Sequence, residues 1–210
     1  MSTVTANKKN ELSGYLQKRD FEGLSALNRG KGRLAHTLVG MAYEKEELLT
    51  WRAIDAIGRL AADMQPEKLR TFVQRILWMM REESGNNCWT SAEILGEIVA
   101  RNPGPNEDIA LIVVGFHDEL ILRAGALRAL WRIATVRPDL MEDYRKVPAQ
   151  YLSDPDEQVR GYAVLSLIAL GAEENREALE RAAADKNEFL LYEDEILRSV
   201  SIAELAKNAL

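Results

Sequence analysis

The side chains able to do chemistry are few and scattered. The chain has two histidines and one cysteine in 210 residues. His117-Asp118-Glu119 sets three metal-ligand types side by side. One reading is a weak metal site; the other is a turn between repeating units in which Asp118 caps the next helix. Zinc sites of the usual Cys/His spacing need more of both residues than the chain contains. No G-x-S-x-G elbow presents an activated serine. Arg29-Gly-Lys-Gly-Arg33 superficially suggests a phosphate loop, but the G-x-x-x-x-G-K-[ST] spacing is absent and no strand precedes it, so it reads as a plain loop. Cys88 opens a helix, where the dipole favours thiolate; a buried, inert cysteine is the alternative. No catalytic residue, metal ligand or cofactor follows from these residues.

The most unusual stretch is Arg81-Glu-Glu-Ser-Gly-Asn-Asn-Cys-Trp-Thr90. The helix before it buries Leu69, Phe72, Val73, Ile76, Leu77 and Met80 at helical spacing, which leaves Gln74, Arg75, Trp78 and Arg81 on the opposite face. Exposed tryptophans and arginines are typical anchors of protein interfaces. Arg75, Trp78, Arg81, Glu82, Asn86, Asn87 and Trp89 are therefore the expected partner-binding residues. The competing reading makes Trp51, Trp78 and Trp89 core residues between repeats, with Trp51 and Trp89 at equivalent positions 38 residues apart.

The elements that carry these residues come from a repeat. In 122–133, Leu122, Ala126, Ala129, Leu130 and Ile133 form one helical stripe, and Leu127, Trp131 and Ala134 a second. Similar cadences begin at Ala53, Ser91 and Ala163, so the first small residue recurs at 53, 91, 126 and 163, at spacings of 38, 35 and 37. A period of roughly 35–40 residues marks a helical solenoid, in which each helix packs both on its own partner and on the next repeat. Arg123 and Arg160 stand just before their stripes, each after an acidic loop.

Asp154-Pro-Asp-Glu-Gln-Val-Arg160, followed by Ala163 and Leu167, resembles the HEAT-like repeat of the bilin-lyase type. The resemblance covers roughly residues 46–185 in four units; the second departs from it, with Cys88 where the pattern has arginine, and the first has Thr50 there. It implies an all-α, right-handed HEAT-like α-α superhelix, and it is nearly silent on function because such repeats serve many roles. HEAT-like iron hydroxylases use His-Glu pairs; here His36 precedes Thr37 and His117 precedes Asp118. HEAT-like DNA glycosylases and bilin lyases remain as enzyme alternatives, acting on nucleic acid or on a tetrapyrrole. The expected function is a non-catalytic scaffold that binds a protein or peptide on its concave surface.

Charge supports that order. The net charge is −6, of which residues 1–43 carry seven basic against three acidic side chains, leaving −10 for the rest. A basic end on an acidic body is either a polyanion contact or a solvated face, and the acidic body opposes phosphate, so nucleic acid is set aside as the main partner. A single cysteine excludes an intrachain disulfide and fits a reducing compartment. No apolar region follows Lys8 and Lys9 as a signal peptide requires, and the longest apolar run, 109–116, is far below the ~20 residues of a membrane span. A cytoplasmic protein that does not enter membranes is expected; its oligomeric state is not legible.

In chain order the expectation is an N-terminal helical cap over 1–45, with helices at 8–19, 20–29 and 33–43, and repeats over 46–185. The repeat helices are expected at 46–64, 67–82, 88–101, 109–116, 119–136, 138–152, 154–170 and 174–184. The run 109–116, apolar on every side, should be covered on its outer face. Pro148 should break or kink its helix. Asp154 should cap the next helix with Pro155 at its first position, and Gly171 should end it. Residues 186–210 form an appendage: a hairpin of 188–193 and 196–202 around Asp194-Glu195, then a short helix, or alternatively one straight helix over 190–208.

Overall fold

The computed structural model describes residues 3–28, 34–81 and 89–210. The chain is mostly helical, with a two-stranded sheet near its C-terminus. Helices α1 (Thr3–Lys18), α2 (Phe21–Asn28) and α3 (Leu34–Val39) gather at one end and pack on α4 (Leu48–Ala62). From there the helices that carry the recurring small residues stand side by side: α4 against α6 (Ser91–Arg101), α6 against α8 (Arg123–Val136), α8 against α9 (Glu157–Ala169). A second layer covers their backs. There α5 (Pro66–Arg81) packs on α6, α7 (Glu107–Gly115) on α6 and α8, and the 3-10 segments Pro138–Tyr144 and Pro148–Tyr151 on α8 and α9. After α10 (Arg176–Ala182), strands β1 (Glu188–Glu193) and β2 (Ile196–Ser201) form an antiparallel hairpin, and α11 (Ile202–Asn208) closes on α9 and α10.

The small residues let the row close up. A Cβ on Gly96 would lie 2.5 Å from the Cβ of Ala129, and one on Gly58 would lie 2.8 Å from Cγ of Glu97. Leu95, Ile98, Leu130 and Ile133 then bury completely between neighbours. Gly→Ala usually favours a helix, yet at Gly96 the overlap should reverse the sign. Gly96→Ala is expected to destabilise by about 1–3 kcal/mol, the range for overpacked cores. Urea denaturation checks this, and an increase in stability would show that α6 and α8 can separate cheaply.

Two arginines tie each turn to the next. Arg123 donates to the carbonyls of His117 and Asp118 in the loop before its helix and pairs with Asp154 in the following loop at 2.9 Å. Arg160 repeats the arrangement, donating to the carbonyls of Asp154 and Pro155 and pairing with Asp185 at 2.7 Å. The acid that each arginine meets as an ion pair thus lies not in the loop before its helix but further along the chain: Asp154 follows the 3-10 segment Pro148–Tyr151, and Asp185 follows α10.

Several boundaries differ from expectation, each for a local reason. Asp156, not Asp154, caps α9: its Oδ1 accepts from Gln158 N, while Asp154 is held by Arg123 and turns back to accept from Asp156 N. Pro155 therefore precedes the cap. Leu122 stands at the N-cap of α8 rather than inside it, and residues 119–122 form a turn. Residues 138–152 do not make one helix but two 3-10 segments, the second of which Pro148 opens. The apolar run is helical as α7, but its outer face is not covered, and Leu111 remains exposed. Asp118 caps no helix, since α8 starts five residues later.

The appendage is a hairpin and not a straight helix. Its turn residues Asp194 and Glu195 both have positive φ, 50° and 64°. Two left-handed residues in a row suit Asn-Gly and cost non-glycine residues about 1–2 kcal/mol each. The turn is held from outside: Arg52 donates to the Glu195 carbonyl, and Arg59 pairs with the Glu195 carboxylate at 2.9 Å. Arg52 and Arg59 are both on α4, so the hairpin reaches from α9, beside which it begins, to α4.

Candidate functional site

On the hairpin side, α4, α6 and α8 carry two columns of charge at the repeat spacing: Asp55, Glu93 and Arg128, then Arg59, Glu97 and Arg132. Each residue stands four before its partner column, so both columns share one face of each helix. Glu97 is at the centre. Its carboxylate accepts from Arg101 at 2.9 Å, from Arg132 at 3.1 and 3.2 Å and from Arg128 at 3.4 Å. Burial alone would raise its pKa, but Arg128, Arg132 and Arg101 outweigh burial and hold it at about 2. The same carboxylate works against burial to raise the pKa of Arg132. Asp55, also buried, accepts from Arg59 at 2.9 Å and from Arg101.

The hairpin completes this face. Tyr192 stacks on Trp51 with ring centres 6.0 Å apart, and its hydroxyl donates to Asp55 at 3.2 Å. Burial and the Asp55 carboxylate push the phenol far above its ordinary range, so it stays a donor. The Arg128 guanidinium lies 4.9 Å from the Trp51 ring on a cation–π contact. Glu193, Asp194 and Glu195 close a cavity of about 420 Å³ over Arg59, Arg101 and Arg132. An acidic turn thus occupies an arginine-lined groove.

Beyond Trp51 lies a second cavity, about 490 Å³, between the loop before α4, the start of α6, the loop at 120–121, the start of α9 and the hairpin. Glu93 lines it. Its Oε1 pairs with Lys45 Nζ at 2.6 Å, and its Oε2 has no hydrogen-bond partner. Tyr162 also lines it, with Gln158 and Arg128 near its hydroxyl. The nearby amide of Gln158 is engaged with the backbone of Leu190 in β1. Burial chiefly, with the Glu93 carboxylate, pushes the Tyr162 phenol up to about 12. Phe189 from β1 lies against Gly161, where a Cβ would come within 2.4 Å of its ring.

No family model matches this chain. It is 26% identical over 140 residues to an uncharacterised protein of Archaeoglobus fulgidus, across 64% of this chain and 73% of that protein. No solved structure matches it.

The residues singled out from sequence fall elsewhere. Arg75, Trp78 and Arg81 are exposed on α5, and Trp78 is 63% exposed. Trp89 is 50% exposed in the turn before α6. None of these four lines either cavity. Glu82, Asn86, Asn87 and Cys88 lie outside the described residues. Trp51 and Trp89 do not share an environment: Trp51 is buried in α4 and donates to the Lys45 carbonyl at 2.7 Å. His117 Nδ1 is 2.8 Å from the Tyr151 hydroxyl, and among the described residues no group of three ligand-type side chains could hold a metal. No described helix is long and apolar enough to cross a membrane.

Sequence reasoning missed Asp55, Glu93, Glu97 and Arg128. The signal was present: charged residues recur at 55, 93 and 128 and at 59, 97 and 132, in the same register as the small residues. Charges inside otherwise apolar helices, with opposite signs at 59 and 97, at 97 and 132 and at 93 and 128, indicate that neighbouring helices bring them together.

Proposed function

We propose that the chain is a HEAT-like α-α superhelix that holds a protein or peptide partner on its hairpin face and performs no catalysis. One hairpin touches both α4 and α9, the first and last helices of the row, so it lies across one face of it.

The observation that carries the functional reading is the exposed pair Leu120 and Ile121, 74% and 55% exposed, at the edge of the cavity that contains Glu93. Large apolar side chains beside a pocket with polar groups are what a partner surface presents. The enzyme alternative draws on the same cavity, where a buried carboxylate stands between Trp51 and Tyr162. Against it, Lys45 holds one carboxylate oxygen and Glu46, Asp156, Glu157 and Glu188 line the cavity too, which opposes a phosphodiester.

Affinity capture from the cells that make the protein tests the reading. The partner retained by the native chain should be lost on Leu120→Asp combined with Ile121→Asp. Trp78→Ala and Arg81→Ala provide the comparison surface; Trp78→Ala should change stability by no more than about 0.5 kcal/mol, as exposed positions do. A partner lost only with Trp78→Ala or Arg81→Ala moves the interface to α5. Turnover of a nucleic-acid or tetrapyrrole substrate by the purified protein, or a chromophore band in its absorption spectrum, would overturn the non-catalytic reading.

A further inference from the structure

Four arginines meet where the hairpin turn crosses the helix row, and they share three carboxylates. Arg59, Arg101, Arg128 and Arg132 pair with Asp55, Glu97 and Glu195, which leaves one positive charge over. Arg128 is buried, and its unpartnered nitrogens are buried with it. The other three differ: the side chains of Arg59, Arg101 and Arg132 are 33%, 29% and 27% exposed. Each spends Nε and Nη2 on its carboxylates, and the Nη1 of each has no acceptor among the described residues. The Nη1 atoms of Arg59 and Arg132 are not buried, and Arg101 stands exposed at the end of α6. Three charged donors are therefore open to an anion from outside.

The same three arginines wall a third cavity, of about 730 Å³, between α2 and the C-terminal ends of α4, α6 and α8. Phe21, Ala62, Ala100 and Val136 add apolar surface, and Phe21 stacks on the Arg59 guanidinium at 4.2 Å. Glu22 and Asp63 stand in the same lining and repel a doubly charged ligand more than a singly charged one. On the hairpin side, the Glu195 carboxylate already sits on Arg59 at 2.9 Å, an example of the group these arginines receive. We propose that the third cavity receives the carboxylate of an acidic peptide segment, bound by the Nη1 groups of Arg59, Arg101 and Arg132. The proposal rests on the partner-binding reading for the source of that segment, and it gives the partner an anchor apart from Leu120 and Ile121. Arginine binds carboxylate and phosphate through the same donors; the single positive charge left over, with Glu22 and Asp63 nearby, favours the carboxylate.

The test is a chemical-shift titration of the isotope-labelled intact chain with N-acetyl-glutamate α-amide, inorganic phosphate and, as an uncharged control, N-acetyl-glutamine α-amide. Saturable shifts should appear at the side-chain Nε–H groups of Arg59, Arg101 and Arg132 and at Val136 with the glutamate amide and not with the control. Arg101→Gln should weaken binding about tenfold, the scale of one hydrogen bond between charged groups. If Arg101→Gln fails to fold, Val136→Asp replaces it: the position is exposed, and a carboxylate fixed in the cavity wall should compete with the ligand and lower its affinity at least as far. No saturable binding of the glutamate amide, or affinity unchanged in a folded variant, overturns the site. Phosphate binding more tightly than the glutamate amide overturns the carboxylate assignment. Saturable amide binding together with partner capture that survives the Leu120→Asp and Ile121→Asp changes would leave this site standing and remove the interface at those residues. Capture lost in those variants, with no amide binding by the native chain, would do the reverse, so the two failures are distinguishable.

Discussion

Glu97→Ala is expected to remove about 3–5 kcal/mol of stability, the range for breaking a buried ion pair from one side. The variant leaves Arg128, 2% exposed, without its carboxylate partner, and deprives Arg101 and Arg132 of the carboxylate they share. Glu97→Gln should lose less, since one carbonyl acceptor survives. Replacing both Glu97 and Arg128 with apolar residues of similar volume should recover part of the loss, because neither charge then stays buried alone. Urea denaturation at neutral pH reads all three, and a loss below about 1 kcal/mol for Glu97→Ala would place the arginines in water in solution.

The same carboxylate sets a pH dependence. Its pKa is lowered on folding from an ordinary 4.5 to about 2. A depressed folded pKa means that the unfolded chain takes up the proton first, so the stabilisation is fully present above 4.5 and is lost as pH falls towards 2. The urea midpoint of the native protein should therefore fall through this window, and Glu97→Gln should lack that part of the decline. Equal slopes in the two proteins would assign the acid sensitivity to other carboxylates.

Leu130→Ala is the second large effect. Leu130 is fully buried on α8, inside the main apolar cluster. Truncation removes apolar volume that the rigid helix row cannot refill, at a cost of about 2–5 kcal/mol. A change under about 0.5 kcal/mol, the surface range, would mean that α8 is rotated from the orientation described here. Comparison with Trp78→Ala is informative, because the larger side chain is expected to matter far less.

Much of the architecture was legible because it is local. The stripe in 122–133, the stripe of Leu69, Phe72, Val73, Ile76 and Met80, and the helix end at Gly171 each follow from helical periodicity or from one backbone preference, and the structure keeps them, with Leu77 only partly buried. The hairpin was legible from the β-rich runs either side of Asp194-Glu195, although the turn lacks glycine or asparagine. What makes that turn tenable is Arg52 and Arg59, more than 130 residues earlier, and no window of sequence connects them.

The chain by itself determined most of the helical segments, though not 138–152, which faces of them are apolar, and where small residues allow neighbours to approach, since these depend on spacings of three, four and about 37 residues along one chain. Only the tertiary structure decided what each special residue does. Trp51 and Trp89 are equivalent in sequence, but Trp51 is covered by Tyr192 from the hairpin while Trp89 stays exposed. Asp154 has the side chain of a helix cap, but Arg123 holds it and Asp156 takes the role. Glu93 and Glu97 stand one helical turn apart with the same side chain; Glu97 meets three arginines, and Glu93 meets Lys45, a glycine and a cavity. Burial and counter-charge come from neighbours distant in sequence, and they give two like carboxylates different partners.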